Sequence, residues 1–409
     1  MTKSKQSNNA LLAIIFLTVF IDMLGVSIVI PVIPGLFFSD TSEFFNAGVS
    51  ENFRSIVYGY LVAAYPLMQF FGAPFLGALS DRYGRKPVLS VSLVGTLIGY
   101  ILFAVAIIRQ DIYLLFFSRL LPGFTGGNIS IALSAIADIS EAKDKAKNFG
   151  LVGAAFGLGF ILGPAIGGFL ADSTVVSWFT HATPFWVTAG LTFVNIMMVQ
   201  FLFPETLREK QMTPLSFLTG FRNIATSFRT PHLRTIFVVV LLIALGFSFF
   251  TQFFSVLLFQ KFSYTEKSIG LLYGWVGIWL VITQGLIVRR LSGNVAPSKI
   301  LRISIIALAL SIGVILLPSE AWWFYLLNPF IALSQGLTSP NLTTVVSEQA
   351  SAKQQGQILG INQSMQSIGA TVPPIVAGYL NALNGNLPLL AGAFFCVLGW
   401  AVFVFVFRR

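Results

Sequence analysis

The sequence predicts an all-α integral membrane protein with twelve transmembrane helices in two related halves of six. Hydrophobic residues make up 56% of the 409 residues and charged residues only 10%, which is too few to cover the surface of a soluble chain of this length. Apolar runs of about 20 residues recur along the chain, and this is the length that a helix needs to cross a bilayer. Several motifs of the first half also recur, in the same order, in the second half.

The twelve predicted spans are apolar runs bounded by polar residues, glycines or prolines. They lie near 10–38, 55–79, 88–108, 111–137, 148–171, 184–203, 235–259, 267–289, 298–317, 321–347, 357–381 and 386–407. The longest polar connection separates the sixth span from the seventh. We therefore expect an N-terminal six-helix bundle over 1–203, a cytoplasmic linker over 204–234 and a C-terminal six-helix bundle over 235–409.

The second half repeats features of the first at a nearly constant distance. The matched pairs are Gly77 and Gly285, Gly150 and Gly360, and Pro164 and Pro374, at offsets of 208, 210 and 210 residues. Three matches in order indicate duplication. Two repeats related by an axis along the membrane normal place a binding site between them, near the middle of the bilayer.

Lysine and arginine residues are concentrated on one predicted side of the membrane. With both termini in the cytoplasm, 20 of the 25 basic residues fall in cytoplasmic segments, four in the other loops and one, Arg119, within a span. This asymmetry follows the positive-inside rule. We expect a multi-pass protein of the cell inner membrane with both termini in the cytoplasm. The net charge of +10 reflects this topology rather than nucleic-acid binding.

The chain has few residues suited to covalent or metal chemistry. Cys396 is the single cysteine, which excludes a disulfide framework, and the two histidines, His181 and His232, lie in predicted polar connections. The predicted spans contain no nucleophile–base set, metal-ligand cluster or phosphate-binding loop. We expect neither an enzyme nor a bound cofactor or metal.

Three motifs carry a family resemblance. The loop after the second span reads G-A-L-S-D-R-Y-G-R-K from Gly77 to Lys86, the fourth span contains Arg119 followed by glycines, and the fifth span reads G-L-G-F-I-L-G-P-A-I-G-G from Gly157 to Gly168. Together they resemble the signature motifs of the major facilitator superfamily. The fifth-span motif resembles that of its proton-coupled drug antiporters. The likeness is strongest to the tetracycline/proton antiporters, through the segment from Asp22 to Pro34, the run Y-P-L-M-Q from Tyr65, and the segment from Arg119 to Asp138.

The resemblance implies a conformational latch in the loop after the second span. Its residues are Gly77, Asp81, Arg82, Gly84, Arg85 and Lys86, together with Asp138 at the end of the fourth span. On physical grounds, Asp81 could accept backbone N–H groups at a helix N-terminus, where the helix dipole favours a carboxylate. The basic residues could pair with Asp138. The alternative is a solvated basic loop that only follows the positive-inside rule.

The resemblance also implies that the fifth span seals the two halves against proton leak. The residues of this motif are Gly157, Gly159, Gly163, Pro164, Gly167 and Gly168. We expect one row of small residues, with Gly159 on another face. The row consists of Gly153, Gly157, Gly163 and Gly167. Such a row lets two helices approach closely, and close packing alone is the alternative role.

Asp22 is a carboxyl group about a dozen residues into the first span. Burying it ionised costs several kcal/mol, so an acid at this depth is a candidate functional residue. Arg119 is the one basic residue within a predicted span and is therefore its candidate partner. We expect Asp22 and Arg119 to couple transport to protons. The alternatives are a static pair that fixes helix packing, and a direct contact of Asp22 with a substrate ammonium group.

Neutral polar residues at membrane depth tend to line cavities or to bridge helices. The predicted substrate cavity contains Gln69, Asn128, Gln252, Gln335, Asn341, Gln363 and Phe253. Tetracycline exporters carry further acids in the third and ninth spans, where this chain has Gly99 and Ala307. The resemblance therefore implies a transporter of this branch but makes tetracycline itself a poor candidate substrate.

These observations predict a proton-coupled secondary active transporter, an antiporter that exports an amphipathic drug or a metabolite such as a siderophore by rocker-switch alternating access. The alternatives are a proton symporter that imports a nutrient or an iron chelate, and a non-transporting membrane receptor on the same fold. The expected partners are a small-molecule substrate, protons and the lipid bilayer, without nucleic acid. The resemblance implies a monomer.

Overall fold

The computed structural model describes residues 2–39, 44–45, 48–140, 145–207, 210, 215–229, 231–291, 294–349 and 355–407. All regular secondary structure within these described ranges is helical. This agrees with the all-α class that the composition and the apolar runs predict.

The first half of the chain forms eight helices. They are α1 (Thr2–Ser27), α2 (Val29–Phe38), α3 (Glu51–Tyr83), α4 (Arg85–Arg109), α5 (Ile112–Thr125), α6 (Asn128–Ile139), α7 (Lys145–Ala171) and α8 (Thr183–Leu202). The first predicted span is divided between α1 and α2, and the fourth between α5 and α6. Each of the other four spans is a single helix.

The second half begins with a short helix in the polar connection and continues with long helices. They are α9 (Thr219–Arg229), α10 (Pro231–Phe262), α11 (Glu266–Ile282), α12 (Arg289–Leu291), α13 (Pro297–Val314), α14 (Trp323–Glu348), α15 (Gln355–Leu383) and α16 (Leu387–Ala401). A π-helical segment, Thr283–Val288, joins α11 to α12, and another, Val402–Val406, follows α16.

All twelve predicted spans are helical, but two of them are less apolar than the others. Ten helices or pairs of consecutive helices in the described ranges are long and apolar enough to cross a membrane. The helices α14 and α15 fall outside this set although they have 26 and 29 residues. At 1.5 Å per residue both exceed the roughly 30 Å of a bilayer core. Amide side chains such as Gln335, Asn341 and Gln363 lower their mean hydropathy.

Contacts between residues divide the chain into two compact units. Unit 1 comprises Met1–Val32 and Met68–Thr219, and unit 2 comprises Ile33–Leu67 and Gly220–Arg409. The second part of α2 and the first half of α3 therefore pack within unit 2. The division into bundles over 1–203 and 235–409, which rests on internal repetition of the sequence, stays a prediction.

The core of unit 1 is built around α1. This helix packs against α6, α7 and α8. Its buried residues Leu11, Ile15 and Val19 join apolar side chains of α4, α6, α7 and α8 in one cluster. Asp22 lies on the same helix directly beside Met23 of this cluster, so α1 places a carboxyl group next to the apolar interior.

The core of unit 2 is built around α10. This helix packs against α14, α15 and α16. Ile236, Phe237 and Val240 of α10 are buried together with apolar residues of α13, α14 and α15. In each unit one long helix, α1 or α10, therefore packs against three others.

Candidate functional site

The fourth span is interrupted at membrane depth. The helix α5 ends at Thr125 and α6 begins at Asn128, so Gly126 and Gly127 form the connection. A Cβ atom at Gly127 would lie 3.2 Å from the backbone of Ala73 in α3, and glycine therefore permits a close approach at this point. Interrupted helices place polar groups inside membrane transporters, where their partners lie in neighbouring helices.

The interruption brings Asn128 to Asp22. The Asn128 side chain is fully buried, and its Nδ2 atom donates a hydrogen bond of 3.1 Å to Asp22 Oδ1. The Ser92 hydroxyl oxygen, from α4, contacts both Asn128 Oδ1 and the carbonyl oxygen of Thr125. One hydrogen-bonded network therefore joins α1, α4, the end of α5 and the start of α6.

The two carboxyl oxygens of Asp22 have different surroundings. The side chain is only 3% exposed. While Oδ1 accepts the bond from Asn128, Oδ2 is buried and has no hydrogen-bond partner within the described ranges. A protonated carboxyl group could place its hydroxyl at Oδ2, whereas an ionised one would leave that oxygen without a donor. The site can therefore hold or release a proton without breaking an ion pair.

The sequence predicts Arg119 as the partner of Asp22, whereas the hydrogen-bond partner in the structure is Asn128. Arg85 forms ion pairs with Asp81 and with Asp138, whereas Asp22 accepts a hydrogen bond from the neutral Asn128 amide. Arg119 is buried in α5, nine residues before Asn128 and on the other side of the glycine connection. The change of helix at that connection decides which residue of the fourth span reaches α1. The coupling role of Asp22 and Arg119 stays a prediction.

Gln69 lies at the same interruption. Its Nε2 atom donates a hydrogen bond of 3.3 Å to the carbonyl oxygen of Gly126, a group that the broken helix no longer uses. Two of the predicted cavity residues, Gln69 and Asn128, are therefore brought to one place in unit 1. A further polar pair, Thr18 and Asn195, joins α1 to α8 with a hydrogen bond of 2.9 Å.

The other predicted cavity residues belong to unit 2. Phe253 is buried, and its ring packs edge-on against Tyr58 with the ring centroids 5.3 Å apart. The Tyr58 hydroxyl donates to the backbone carbonyl of Gln252 at 3.0 Å. Asn341 donates to the carbonyl of Leu337 within its own helix. Phe253 therefore packs against Tyr58, and Asn341 bonds within α14.

The cavity roles of Gln252, Gln335, Asn341, Gln363 and Phe253 all stay predictions. Gln335 Oε1 is buried without a hydrogen-bond partner in the described ranges, and Gln363 is exposed. Because Gln69 and Asn128 lie in unit 1 and these glutamines in unit 2, the shared substrate cavity stays a prediction.

The predicted latch is centred on one arginine. Arg85 is buried, and its Nη1 atom lies 2.5 Å from Asp81 Oδ1 and 2.7 Å from the Ser80 hydroxyl. Its Nε atom lies 3.0 Å from Asp138 Oδ2. Arg85 therefore joins the last turn of α3, the first turn of α4 and the end of α6 within unit 1.

The remaining latch residues have smaller roles in this cluster. The Arg82 guanidinium lies 5.5 Å from the centre of the neighbouring Tyr83 ring. Lys86 contributes its backbone N–H group, as described below. A Cβ atom at Gly77 would make only an ordinary contact of 3.9 Å with Ser130, so no close approach requires glycine there.

Sequence reasoning missed Glu205, which performs the role expected of Asp81. Glu205 Oε1 accepts the backbone N–H of Arg85 at 2.9 Å, and Oε2 accepts that of Lys86 at 3.2 Å. Both N–H groups lie in the first turn of α4, where a carboxylate is favoured by the helix dipole. Gly84 turns the chain into this helix with φ of 115°, which favours glycine. The signal in the sequence that could have indicated this cap is an acid directly after the sixth predicted span.

The glycine row of α7 packs against α1, but it is not the row that the spacing predicted. A Cβ atom at Gly159 would lie 2.5 Å from the carbonyl oxygen of Phe20, and one at Gly163 would lie 2.6 Å from that of Leu24. Gly167 approaches the backbone of Ile28 in the same way. The row is therefore 159, 163 and 167, spaced four residues apart, and placing Gly159 on another face was wrong.

The other residues of the α7 motif lie outside this close contact or support it. Gly153 has open space around it. Pro164 and Gly168 are buried and Gly157 is half-buried. A hydrogen bond also joins α1 to α7, because the Ser27 hydroxyl lies 3.1 Å from the carbonyl oxygen of Gly159.

The position where tetracycline exporters have an acid in the third span is closely packed here. A Cβ atom at Gly99 would lie 2.6 Å from the Pro122 ring of α5. A carboxyl side chain would not fit at this place without moving α5. The departure from the tetracycline exporters is therefore part of the packing of α4 and α5.

Comparison with known proteins identifies the family. The family model described as Major Facilitator Superfamily matches residues 15–374 and 236–409. The chain belongs to the Major Facilitator Superfamily. It is accordingly a multi-pass membrane transporter with a small-molecule substrate, and its fold is the major facilitator fold that the motifs predicted.

Several relatives match over most of their length. The tetracycline resistance protein of class B from Escherichia coli is 30% identical over 393 residues, covering 92% of this chain and 91% of that protein. The class C protein from Escherichia coli is 31% identical and covers 93% and 92%. Multidrug resistance protein 2 from Bacillus subtilis (strain 168) is 28% identical and covers 98% and 96%. The predicted likeness to tetracycline antiporters is therefore confirmed.

A solved structure supports the fold. The human organic anion transporter MFSD10 (TETRAN) superposes with a TM-score of 0.74 and 21% sequence identity, covering 97% of this chain and 99% of that chain. At this identity the likeness concerns the fold alone.

The packing of α7 on α1 predicts that Gly163→Leu destabilises the protein. The new side chain would collide with the backbone of α1, and overpacking of this kind costs about 1–3 kcal/mol or more. Thermal unfolding of the purified protein in detergent measures the effect. Gly153→Leu on the same helix is the matched control, because its surroundings are open. Equal melting temperatures for both variants would contradict the close α1–α7 contact.

The capping of α4 predicts that Glu205→Gln loosens the first turn of this helix. A neutral amide keeps the side-chain shape but loses the interaction with the helix dipole, which is worth about 1 kcal/mol. Amide hydrogen exchange at Arg85 and Lys86 should become about fivefold faster. Glu320→Gln, which changes an exposed acid, is the control. Unchanged exchange in the Glu205 variant would show that the cap is not significant.

Proposed function

We propose that this transporter is a proton-coupled antiporter that exports an amphipathic drug or metabolite across the cell inner membrane, with both termini in the cytoplasm. The observation that carries the proposal is the buried Asp22 carboxyl group, bonded through one oxygen to Asn128 at an interrupted helix. Relatives named for resistance to tetracycline and to multiple drugs support export as the direction.

The driving force follows from the charge that Asp22 gains or loses. One charge moving across 100 mV corresponds to about 2.3 kcal/mol, and one pH unit corresponds to about 1.4 kcal/mol. Together they can sustain a substrate gradient of roughly a few hundredfold for one proton. A carboxyl group that lacks an ion-pair partner can change protonation state without first separating two charges, which suits it to this exchange.

The packing behind Asp22 supports a sealed proton site. Gly159 and Gly163 of α7 both lie against the backbone of Leu24 in α1, two residues after Asp22 in the chain. A contact this close leaves no room for water between the two helices. Access to Asp22 would then be controlled by other helices, as an exchanger without leak requires.

The substrate class follows from the kind of polar groups in the spans. Gln69, Asn128 and Gln335 are neutral, and amide groups recognise hydrogen-bonding substrates without requiring a charge. At the third-span position where the resemblance implies an acid in tetracycline exporters, this chain has the closely packed Gly99. We therefore favour an amphipathic molecule, such as a drug or a siderophore, over a metal–tetracycline complex.

The alternative is a symporter that imports an anionic nutrient or an iron chelate together with protons. The buried guanidinium of Arg119 favours this alternative, because it could attract an anionic substrate. Transport into vesicles under proton gradients of opposite sign separates export by exchange from import by co-transport. Candidate substrates for this assay can be found by a thermal-shift screen followed by counterflow.

The proposal predicts that Asp22→Asn abolishes proton-driven transport. The amide keeps the size of the side chain but cannot exchange a proton. Flux driven by a pH gradient in proteoliposomes should fall to background, whereas energy-independent counterflow of the same substrate should persist. Asp111→Asn is the matched control, because asparagine caps a helix N-terminus as well as aspartate does. Normal pH-driven flux in the Asp22 variant would refute the assignment.

The latch cluster predicts that Asp81→Asn slows turnover more than it weakens substrate binding. Arg85 would keep its pair with Asp138, but its partner at position 81 would lose the negative charge, and a hydrogen bond to a charged group contributes about 1–3 kcal/mol. The maximal rate should fall about fivefold or more while the substrate dissociation constant stays the same. A loss of affinity with normal turnover would assign Asp81 to substrate binding instead.

A further inference from the structure

The short helix α9 directly precedes the helix of the seventh predicted span. It ends at Arg229, and α10 begins at Pro231. The seventh predicted span starts near residue 235. Fewer than two turns of helix therefore separate α9 from this span, and this spacing favours a position of α9 near the lipid headgroups.

One side of α9 is attached to unit 2. Asn223 Nδ2 donates a hydrogen bond of 3.1 Å to the Ser364 hydroxyl of α15. Ile224 packs against the apolar core around α10. These two contacts fix the orientation of α9 on unit 2.

The opposite side of α9 is aromatic and basic. Phe221 and Phe228 are 48% and 43% exposed, and Ala225 between them is also exposed. Positions 221, 225 and 228 share one face of a helix. Arg222 and Arg229 are exposed on the adjoining face, seven residues apart. The exposed surface of α9 therefore has an apolar stripe with a row of positive charge beside it.

We propose that α9 is an interfacial helix that binds anionic phospholipid through this surface. An amphipathic helix with aromatic residues on one face and arginines beside them lies in the plane of the membrane interface. Phe221 and Phe228 enter the boundary between headgroups and acyl chains, and Arg222 and Arg229 contact lipid phosphates. Arg234, exposed in the first turn of α10, extends the same positive surface.

The geometry favours a lipid over a protein as the occupant. The apolar stripe belongs to a segment that the chain itself holds at the edge of the bilayer, where lipid is present at high local concentration. Guanidinium groups pair with phosphate oxygens through two parallel hydrogen bonds, which a neutral headgroup with its own choline cation does not favour. Binding at α9 would stabilise the attachment of α9 to α15 and hence this part of unit 2.

The test compares lipid binding by the full-length protein and by an arginine variant. Native mass spectrometry in neutral detergent counts bound phosphatidylglycerol and phosphatidylcholine across a titration. Each arginine at a membrane surface contributes about fivefold in affinity, so Arg222→Gln with Arg229→Gln should weaken phosphatidylglycerol binding by about 25-fold and leave phosphatidylcholine binding unchanged. Phe221→Ser with Phe228→Ser should also weaken phosphatidylglycerol binding, without a change in charge.

The control removes two exposed arginines from another site. Arg289→Gln with Arg290→Gln changes the net charge equally at α12, which has no aromatic stripe of this kind on its three residues. An equal loss of phosphatidylglycerol binding in this control would overturn the proposal, because it would indicate general charge attraction. Competition by free glycerol 3-phosphate as effective as that by phosphatidylglycerol would also overturn it, because the acyl boundary would then have no role.

A measurement on the unmodified protein keeps the proposal testable if a variant does not fold. Phosphatidylglycerol should slow amide hydrogen exchange in α9 severalfold relative to phosphatidylcholine, while exchange in α4 should not change. Unchanged exchange in α9 would contradict the proposal. Neither experiment uses transport as its readout, so the result is independent of proton coupling.

Discussion

The hydrogen bond from Asn128 to Asp22 is the interaction on which the rest of unit 1 depends. It requires a glycine connection that ends α5 and starts α6 at the depth of Asp22, and it requires Ser92 to hold the other end of the Asn128 amide. Gln69 then satisfies a carbonyl group that the interruption exposes. Burying these groups is acceptable only because they bond to one another, which makes their positions mutually dependent.

The short helix α6 connects the network of Asp22 and Asn128 to the ion-pair cluster around Arg85. Asn128 stands at the first position of α6, and Asp138, which pairs with Arg85, lies ten residues later near its end. The distance along the helix is about 15 Å. Under the proposed mechanism α6 moves as a rigid element and links the protonation of Asp22 at one end to the ion pairs of Arg85 at the other.

The sequence was sufficient for the fold and for the burial of Asp22, because apolar length and local motifs are properties of single segments. The sequence was not sufficient to predict which residues these side chains bond to. Which residue reaches Asp22 depends on a change of helix at Gly126 and Gly127, and Glu205 caps a helix 120 residues earlier in the chain. The glycine row of α7 was misjudged at Gly159, since spacing alone does not show which face meets α1.

Infrared difference spectroscopy of the purified protein tests the central claim most directly, because the carbonyl stretch of a protonated carboxyl group is distinct from that of a carboxylate. A pH titration should show a protonated carboxyl band that disappears as Asp22 ionises and that Asn128→Leu shifts by removing the hydrogen bond at Oδ1. If no band in the titration depends on Asp22, or if the Asn128 substitution leaves the Asp22 band unchanged, the account of this site is contradicted.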